Sequence, residues 1–237
     1  MTPTCIVLAG GLGTRLRSAV PYLPKCLAPI SGQPFISWQL RSLANRGVGR
    51  FVLALGYGAD RVVESLALPW ARDLKIEYVL EPDALGTGGA TRFAMSELGI
   101  DEALIANGDT FLGGSLMAML EPLDLSGGEL MRMATVQVPD RTRFGGVEVN
   151  ASHRVLAFLE KGHVGPGLIN AGLYRIHRHA LDSAHLGTYS LESKVMPTLV
   201  SKSELAAREV SGPFIDIGVP DDYYLFDAGV HDYVRQA

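Results

Sequence analysis

The chain of 237 residues is 47% hydrophobic and 19% charged, a composition of packed globular proteins that excludes a disordered chain. Its 21 basic and 25 acidic residues give a formal net charge of -4, without the basic excess of a nucleic-acid binder, so no nucleic acid is expected as a partner. No apolar run approaches the ~20 residues needed to cross a bilayer, and Met1-Thr2-Pro3-Thr4 lacks the parts of a signal peptide, so no membrane association and a cytoplasmic location are expected.

Two cysteines, Cys5 and Cys26, make no disulfide framework. Cys5-Ile6-Val7-Leu8 is a buried strand ending at Gly10-Gly11, with Cys5 as a small core residue. Pro34 to Arg46 spaces Phe35, Trp38, Leu40 and Leu43 around a helix stopped near Gly47. A strand over Phe51–Leu55, a helix over Ala59–Leu66 and a strand over Ile76–Leu80 follow. Gly88 to Leu98 predicts a helix, and Ala103 to Ala106 a strand ending at Asn107-Gly108-Asp109. This alternation predicts an α/β fold with a parallel sheet covered by helices. The second half changes rhythm, with strands over Leu130–Val138, Gly146–Val149, Val155–Phe158 and Leu173–Ile176. A helix over Leu191–Leu199, a strand over Leu205–Val210 and a closing helix over Pro220–Val234 complete it, the last with proline at its first position. One domain over 1–237 is expected, with a nucleotide-binding part to about residue 130 and a smaller sugar-binding lobe from about residue 131. Nucleotide chemistry belongs at the carboxyl ends of the first strands.

The segment Leu8-Ala9-Gly10-Gly11-Leu12-Gly13-Thr14-Arg15-Leu16 follows the first strand. Its glycines let backbone N–H groups converge on phosphate oxygens, and Arg15 adds a forked cation. The spacing is neither the dinucleotide fingerprint nor a Walker A loop; taken alone, the segment favours a tight strand-to-helix turn. Lys25, in Leu23-Pro24-Lys25-Cys26-Leu27-Ala28-Pro29, is held on a stiff backbone, where an ammonium can stabilise charge building on a transferred phosphoryl group.

The glycine loop followed by Pro24-Lys25 resembles the sugar-phosphate nucleotidyltransferases, and the resemblance extends along nearly the whole chain. It implies a Rossmann-like, mixed, mainly parallel sheet flanked by helices, and transfer of a nucleotidyl group from a nucleoside triphosphate to a sugar 1-phosphate. It also implies a triphosphate held by Leu8, Ala9, Gly10, Gly11, Gly13, Thr14 and Arg15, with Arg15, Lys25 and Asp109 as the catalytic set. Glu81-Pro82-Asp83-Ala84-Leu85-Gly86-Thr87-Gly88-Gly89-Ala90 matches the family's base-binding segment, where Glu81, Gly86, Thr87 and the glycine amides would read a base edge. The alternative for this segment is a loop with Thr87 as the N-cap of the following helix.

Asn107 and Gly108 are expected on the nucleotide side. Asp109 after them, and Asp216 in Phe214-Ile215-Asp216-Ile217-Gly218-Val219-Pro220, resemble the family's two metal aspartates. They suit Mg²⁺, which takes one or two carboxylates with substrate phosphates. Gly145 in Arg143-Phe144-Gly145-Gly146-Val147, the pair Glu160-Lys161, and Asn170 in Asn170-Ala171-Gly172 resemble the acceptor side. There Lys161 would hold the sugar phosphate, Glu160 the hydroxyls, and Asp216 would share in binding; each piece alone also reads as a turn or a surface ion pair.

The family commonly has proline where this chain has Cys26, which should loosen the lysine loop and bring a thiol near the site. The six histidines show no metal-ligand spacing, and Ser190 reads as a helix cap, with Glu192 given no role beyond that helix start. The Leu85–Ala90 loop and the segments Leu168–Tyr174 and Phe214–Gly218 look most like the branch that uses GTP and D-glycero-α-D-manno-heptose 1-phosphate. Branches using GTP with mannose 1-phosphate, or UTP or dTTP with MurNAc or glucose 1-phosphate, remain alternatives. A catalytically silent nucleotide-sugar-binding subunit would be expected to lose the lysine or a metal aspartate, whereas Lys25, Asp109 and Asp216 are all present. Relatives often form dimers or tetramers, so a homo-oligomer is compatible with the resemblance.

Overall fold

The computed structural model describes residues 3–182, 184 and 187–237. The readings that involve Met1, Thr2 and His185 therefore fall outside the described residues. In chain order the elements are β1 (Thr4–Leu8), β2 (Pro29–Ile30), β3 (Gln33–Pro34), α1 (Phe35–Asn45), β4 (Arg50–Leu55), α2 (Ala59–Ser65), β5 (Ile76–Leu80), α3 (Gly86–Glu97) and β6 (Glu102–Asn107). Then come β7 (Thr110–Leu112), α4 (Met117–Leu120), β8 (Met131–Val138), β9 (Gly146–Val149), β10 (Val155–Leu159), β11 (Gly167–His177), α5 (Met196–Ser201), β12 (Leu205–Glu209), β13 (Phe214–Asp216) and α6 (Pro220–Arg235).

Seven strands form one sheet in the order β12-β8-β11-β6-β1-β4-β5. β6, β1, β4 and β5 run parallel, β11 is antiparallel to both β6 and β8, and β12 is parallel to β8. The α/β fold expected from the alternation is observed, and the sheet is mixed and mainly parallel, as the resemblance implies. Successive side chains of β1 point to opposite faces, as a pleated strand requires. Cys5 and Val7 pack with α1 through Ile36, Leu40 and Leu43. Ile6 packs on the other face with Ala90, Ala94 and Met95 of α3. Burial on both faces is why these strands read as continuous apolar runs. A third cluster seats α6, through Phe226 and Val230, on Phe35, Phe111 and Ile215.

Three readings need correction. β11 begins at Gly167 rather than Leu173, and Asn170-Ala171-Gly172 is an irregularity inside it, where the register against β8 shifts between Asn170 and Tyr174. Gly172 at φ 68° breaks the extended backbone without ending the strand. The helix expected over Leu191–Leu199 is divided into a π-turn, Leu191–Val195, and α5. Pro197 lies in the first turn of α5, where its missing N–H is tolerated. Thr87 is not a helix cap: α3 starts at Gly86 after Leu85, which supplies no side-chain cap. Ser190 does cap its turn, accepting the N–H of Ser193 at 3.1 Å.

Candidate active site

β1, β4, β5 and β6 end along one edge of the sheet, and the glycine loop leaves β1 there. A cavity of ≈ 400 Å³ opens at that edge. Leu8, Ala9, Gly10, Gly11 and Gly13 form one wall, Glu81, Gly86 and Thr87 another, and Lys25, Asn107, Gly108 and Asp109 the floor. Thr14 and Arg15 follow in a single 3₁₀ turn and are exposed beside the cavity.

The glycines of the loop have separate reasons. A Cβ on Gly10 would fall 2.4 Å from Glu81 Oε1 and 3.0 Å from the Gly56 nitrogen, so the loop crosses β4 and β5 in contact with both. Gly13 has φ 62°, and a Cβ there would sit 2.7 Å from Lys25 Cγ. The loop thus lies directly on the lysine stem. A Cβ on Gly11 would meet nothing within 4 Å, so the loop borders open space where it lines the cavity.

Lys25 starts a 3₁₀ turn, Lys25–Leu27, closed by Leu27 N–H on Pro24 O at 2.9 Å and Ala28 N–H on Lys25 O at 3.0 Å. Cys26 lies in this closed turn and lines the cavity. Its side chain is only 2% exposed, and burial pushes the thiol pKa up to about 12, so it remains protonated. Lys25 Nζ donates to Asp109 Oδ2 at 2.8 Å.

Asp109 and Asp216 come from distant parts of the sequence through the pairing of β7 with β13, where Thr110 faces Asp216 and the Ile217 N–H reaches Asp109 O at 2.9 Å. A Cβ on Gly218 would lie 2.7 Å from Asp216 Oδ1, 3.1 Å from Lys25 Nζ and 3.3 Å from Asp109 Oδ2. Three charged groups therefore meet at a glycine that leaves them room. Burial raises the Asp216 pKa, and the Asp109 carboxylate raises it further; the Gly218 N–H at 2.7 Å, Lys25 and Arg15 oppose the shift. Burial also raises Glu81, opposed by the Leu85 N–H at 3.2 Å. Among the described residues no cluster of three or more His, Cys, Asp or Glu side chains has the arrangement of a metal site. Two converging carboxylates, one of them destabilised by the other, fit the one or two carboxylates that Mg²⁺ takes beside substrate phosphates.

Sequence reasoning did not anticipate the segment that closes the base wall. The Tyr189 carbonyl accepts the N–H groups of Gly88 (2.9 Å) and Gly89 (3.3 Å), so those two amides are engaged within the protein rather than free for a base edge. Thr87 Oγ1 donates to Glu192 Oε2 at 2.7 Å and accepts the Leu191 N–H at 2.9 Å; Ser190 Oγ donates to the same carboxylate oxygen at 2.7 Å. Gly86, at φ 69°, passes so close that a Cβ would lie 2.6 Å from Tyr189 O. Glu192, read only as part of a helix start, is thus the tie between α3 and the π-turn. An acidic residue two places after a capping serine was the available signal.

The acceptor-side residues fall in two groups. Gly145 precedes β9 and lies against Leu159 O at the end of β10, so Glu160 and Lys161 directly follow its hairpin partner. Phe144 packs edge-on to Phe214 at 5.7 Å, and Arg143 pairs with Asp222 while lying 5.0 Å over the Phe144 ring. These contacts seat the glycine loop on the strand that carries Asp216. Glu160 and Lys161 are exposed, with no hydrogen bond or ion pair among the described residues. Asn170 donates to Tyr174 Oη at 2.9 Å and accepts the Gly172 N–H at 2.9 Å, a half-buried position behind Asn107. The structure does not bring Gly145, Glu160, Lys161 or Asn170 onto the wall of the cavity that holds Lys25.

A family model described as nucleotidyl transferase matches residues 4–232. The chain belongs to the nucleotidyl transferase family. Within the family, a Campylobacter jejuni protein named D-glycero-α-D-manno-heptose 1-phosphate guanylyltransferase is 34% identical over 221 residues, 93% of this chain and 97% of that one. A Mycobacterium tuberculosis mannose-1-phosphate guanylyltransferase is 33% identical over 234 residues, 97% of this chain and 64% of its own length. The crystal structure of HddC from Yersinia pseudotuberculosis complexed with GMP-PN superposes with a TM-score of 0.83 at 30% identity, covering 96% of this chain and 99% of that one. No helix among the described residues is long and apolar enough to cross a membrane.

Proposed function

We propose that the chain transfers the guanylyl group of GTP to D-glycero-α-D-manno-heptose 1-phosphate and releases pyrophosphate. The observation that carries the reaction class is the meeting of Lys25 Nζ, Asp109 and Asp216 around Gly218, at the foot of the open glycine loop. The base and sugar are supported by the name of the Campylobacter jejuni relative and by the GMP-PN complex of the Yersinia structure.

A phosphate oxygen of the sugar 1-phosphate attacks the α-phosphorus of GTP. A new P–O bond forms while the bond to the oxygen bridging the α- and β-phosphorus breaks, and pyrophosphate leaves in line. Such a transfer asks the protein for positioning and charge neutralisation rather than covalent chemistry. The glycine loop at Gly11 and the Arg15 cation hold the β- and γ-phosphates. Lys25, fixed between Gly13 and Asp109, neutralises the α-phosphate as its charge grows. Glu81 and the wall around Gly86 and Thr87 hold the base, while the acceptor is received outside that cavity, by the exposed Glu160 and Lys161 beside Gly145. Asp109 and Asp216 would hold Mg²⁺, which supplies positive charge to the reacting phosphates.

A second reading, guanylyl transfer to mannose 1-phosphate, is favoured by the Mycobacterium tuberculosis relative. Phosphate release coupled to pyrophosphatase, measured with GTP, ATP, UTP and dTTP against a panel of sugar 1-phosphates, tests both. GTP with the heptose 1-phosphate should give the highest kcat/KM. Preference for mannose 1-phosphate would select the second reading, and release with UTP or dTTP alone would overturn the base. Silence with every pair would overturn the reaction itself.

A further inference from the structure

α1 buries an amphipathic face on the sheet through Ile36, Leu40 and Leu43, and Gln39, also on the helix, is only 4% exposed. Its Nε2 donates to the carbonyl of Asn107 at 2.7 Å and to the carbonyl of Thr110 at 2.7 Å. Those two carbonyls bracket the turn that carries Asp109. The amide orientation is forced: both neighbours are carbonyl oxygens, which only accept, so the nitrogen must face them. The consequence is that Gln39 Oε1 is buried without a partner. An apolar residue of the same size would avoid that unpaired oxygen and would lose both donations to the turn.

The turn is pinned at four places. Gly108 N–H bonds to Leu8 O at 3.1 Å, Asp109 O accepts from Ile217, and Gln39 holds residues 107 and 110. Of these backbone pins only the last two come from a side chain; Lys25 meets the turn at the Asp109 carboxylate instead. Since one nitrogen holds both carbonyls, it sets the spacing between the turn's ends, and with it the direction in which the Asp109 carboxylate meets Lys25 and Asp216.

We infer that Gln39 is a positioning residue for this reaction: from the far side of the sheet edge, it fixes the Asp109 turn in the geometry that nucleotidyl transfer uses. The inference rests on the reaction proposed above. Gln39→Met and Gln39→Leu keep the buried volume and remove the donors. Each should lower kcat roughly 10- to 100-fold with little change in the KM for GTP, the range found when groups supporting metal-binding residues are removed. The affinity for Mn²⁺ with a non-hydrolysable GTP analogue, read by electron spin resonance, should weaken by a similar factor. A space-filling glutamine would instead lower the melting temperature while leaving kcat and Mn²⁺ affinity as they are, and that outcome would overturn the inference. If the wild-type protein shows no release with any substrate pair, the proposed reaction fails, while the Mn²⁺ measurement still judges Gln39. In the wild-type protein, the Gln39 side-chain amide protons should exchange slowly in ¹⁵N-edited NMR and shift when Mg²⁺ and nucleotide are added. Exchange as fast as that of an exposed glutamine would also overturn the inference, even if neither variant folds.

Discussion

Asp216→Asn should make the metal-free protein more stable and nearly inactive. The Asp216 and Asp109 oxygens both lie within 3.3 Å of the point where a Gly218 Cβ would sit. They are therefore at most ~6 Å apart, which at an effective dielectric near 20 corresponds to ~3 kcal/mol of repulsion. Lys25, 2.8 Å from Asp109, offsets part of this. The direction of the Asp216 shift shows that burial and Asp109 outweigh Lys25, Arg15 and the Gly218 N–H together. Asparagine removes the charge but keeps an oxygen for Gly218, so a gain of about 1 kcal/mol is expected, raising Tm by roughly 2–4 °C in a chain of this size. The assay is differential scanning calorimetry in EDTA, with turnover measured in parallel. A folded-state pKa above the unfolded value means that the fold favours the protonated form. The wild-type penalty is thus present above the raised pKa and fades as pH falls through it toward the unfolded value near 4. Asp216→Asn should lose its advantage over the same range. A variant that melts at or below wild type at pH 7.5, or whose difference ignores pH, would refute this account of the pair.

Lys25→Ala should lower kcat by about 10²–10³-fold or more, as when a preorganised electrostatic donor is removed; a near-normal kcat would remove Lys25 from the chemistry. Gly86→Ala forces a left-handed backbone on a residue with a side chain and drives its Cβ onto the Tyr189 carbonyl. It should cost about 1–3 kcal/mol and raise the KM for nucleotide more than it lowers kcat, checked by thermal melts and initial rates. Neither Cys5 nor Cys26 should be alkylated by iodoacetamide at pH 8 in the native protein, because burial raises both thiols to about 12. Alkylation of Cys26 alone, seen by mass spectrometry, would show that the lysine turn opens.

The parts legible in the sequence are those whose physics is local. β1, β4 and β6 are apolar runs buried along most of their length and followed by glycine or ended by asparagine, so their ends follow from short windows. Asp109 and Asp216 stand at strand ends and Lys25 in a proline-flanked turn, and it was their combination with the glycine loop that singled them out. What escaped depends on partners far along the chain. Gly88 and Gly89 looked like amides offered to a base, and only the fold places Tyr189 on them. Asn170-Ala171-Gly172 carries turn chemistry yet lies within β11, because β8 pairs with the strand before and after the irregularity and β6 takes it up from Leu173. Gln39 did leave a trace, a polar side chain on the apolar stripe of α1, between Phe35 and Leu43.

The pairing of β7 with β13 makes activity a property of the finished polypeptide. At a synthesis rate of ~5–20 residues per second, Asp216 leaves the ribosome several seconds after Asp109. During that interval the nascent protein holds the glycine loop and Lys25, but only one of the two carboxylates of the proposed site. A fragment that stops short of Phe214 would be a nucleotide binder without turnover. Catalytic competence therefore reports that translation has passed β13 and that its strand has folded back beside β7.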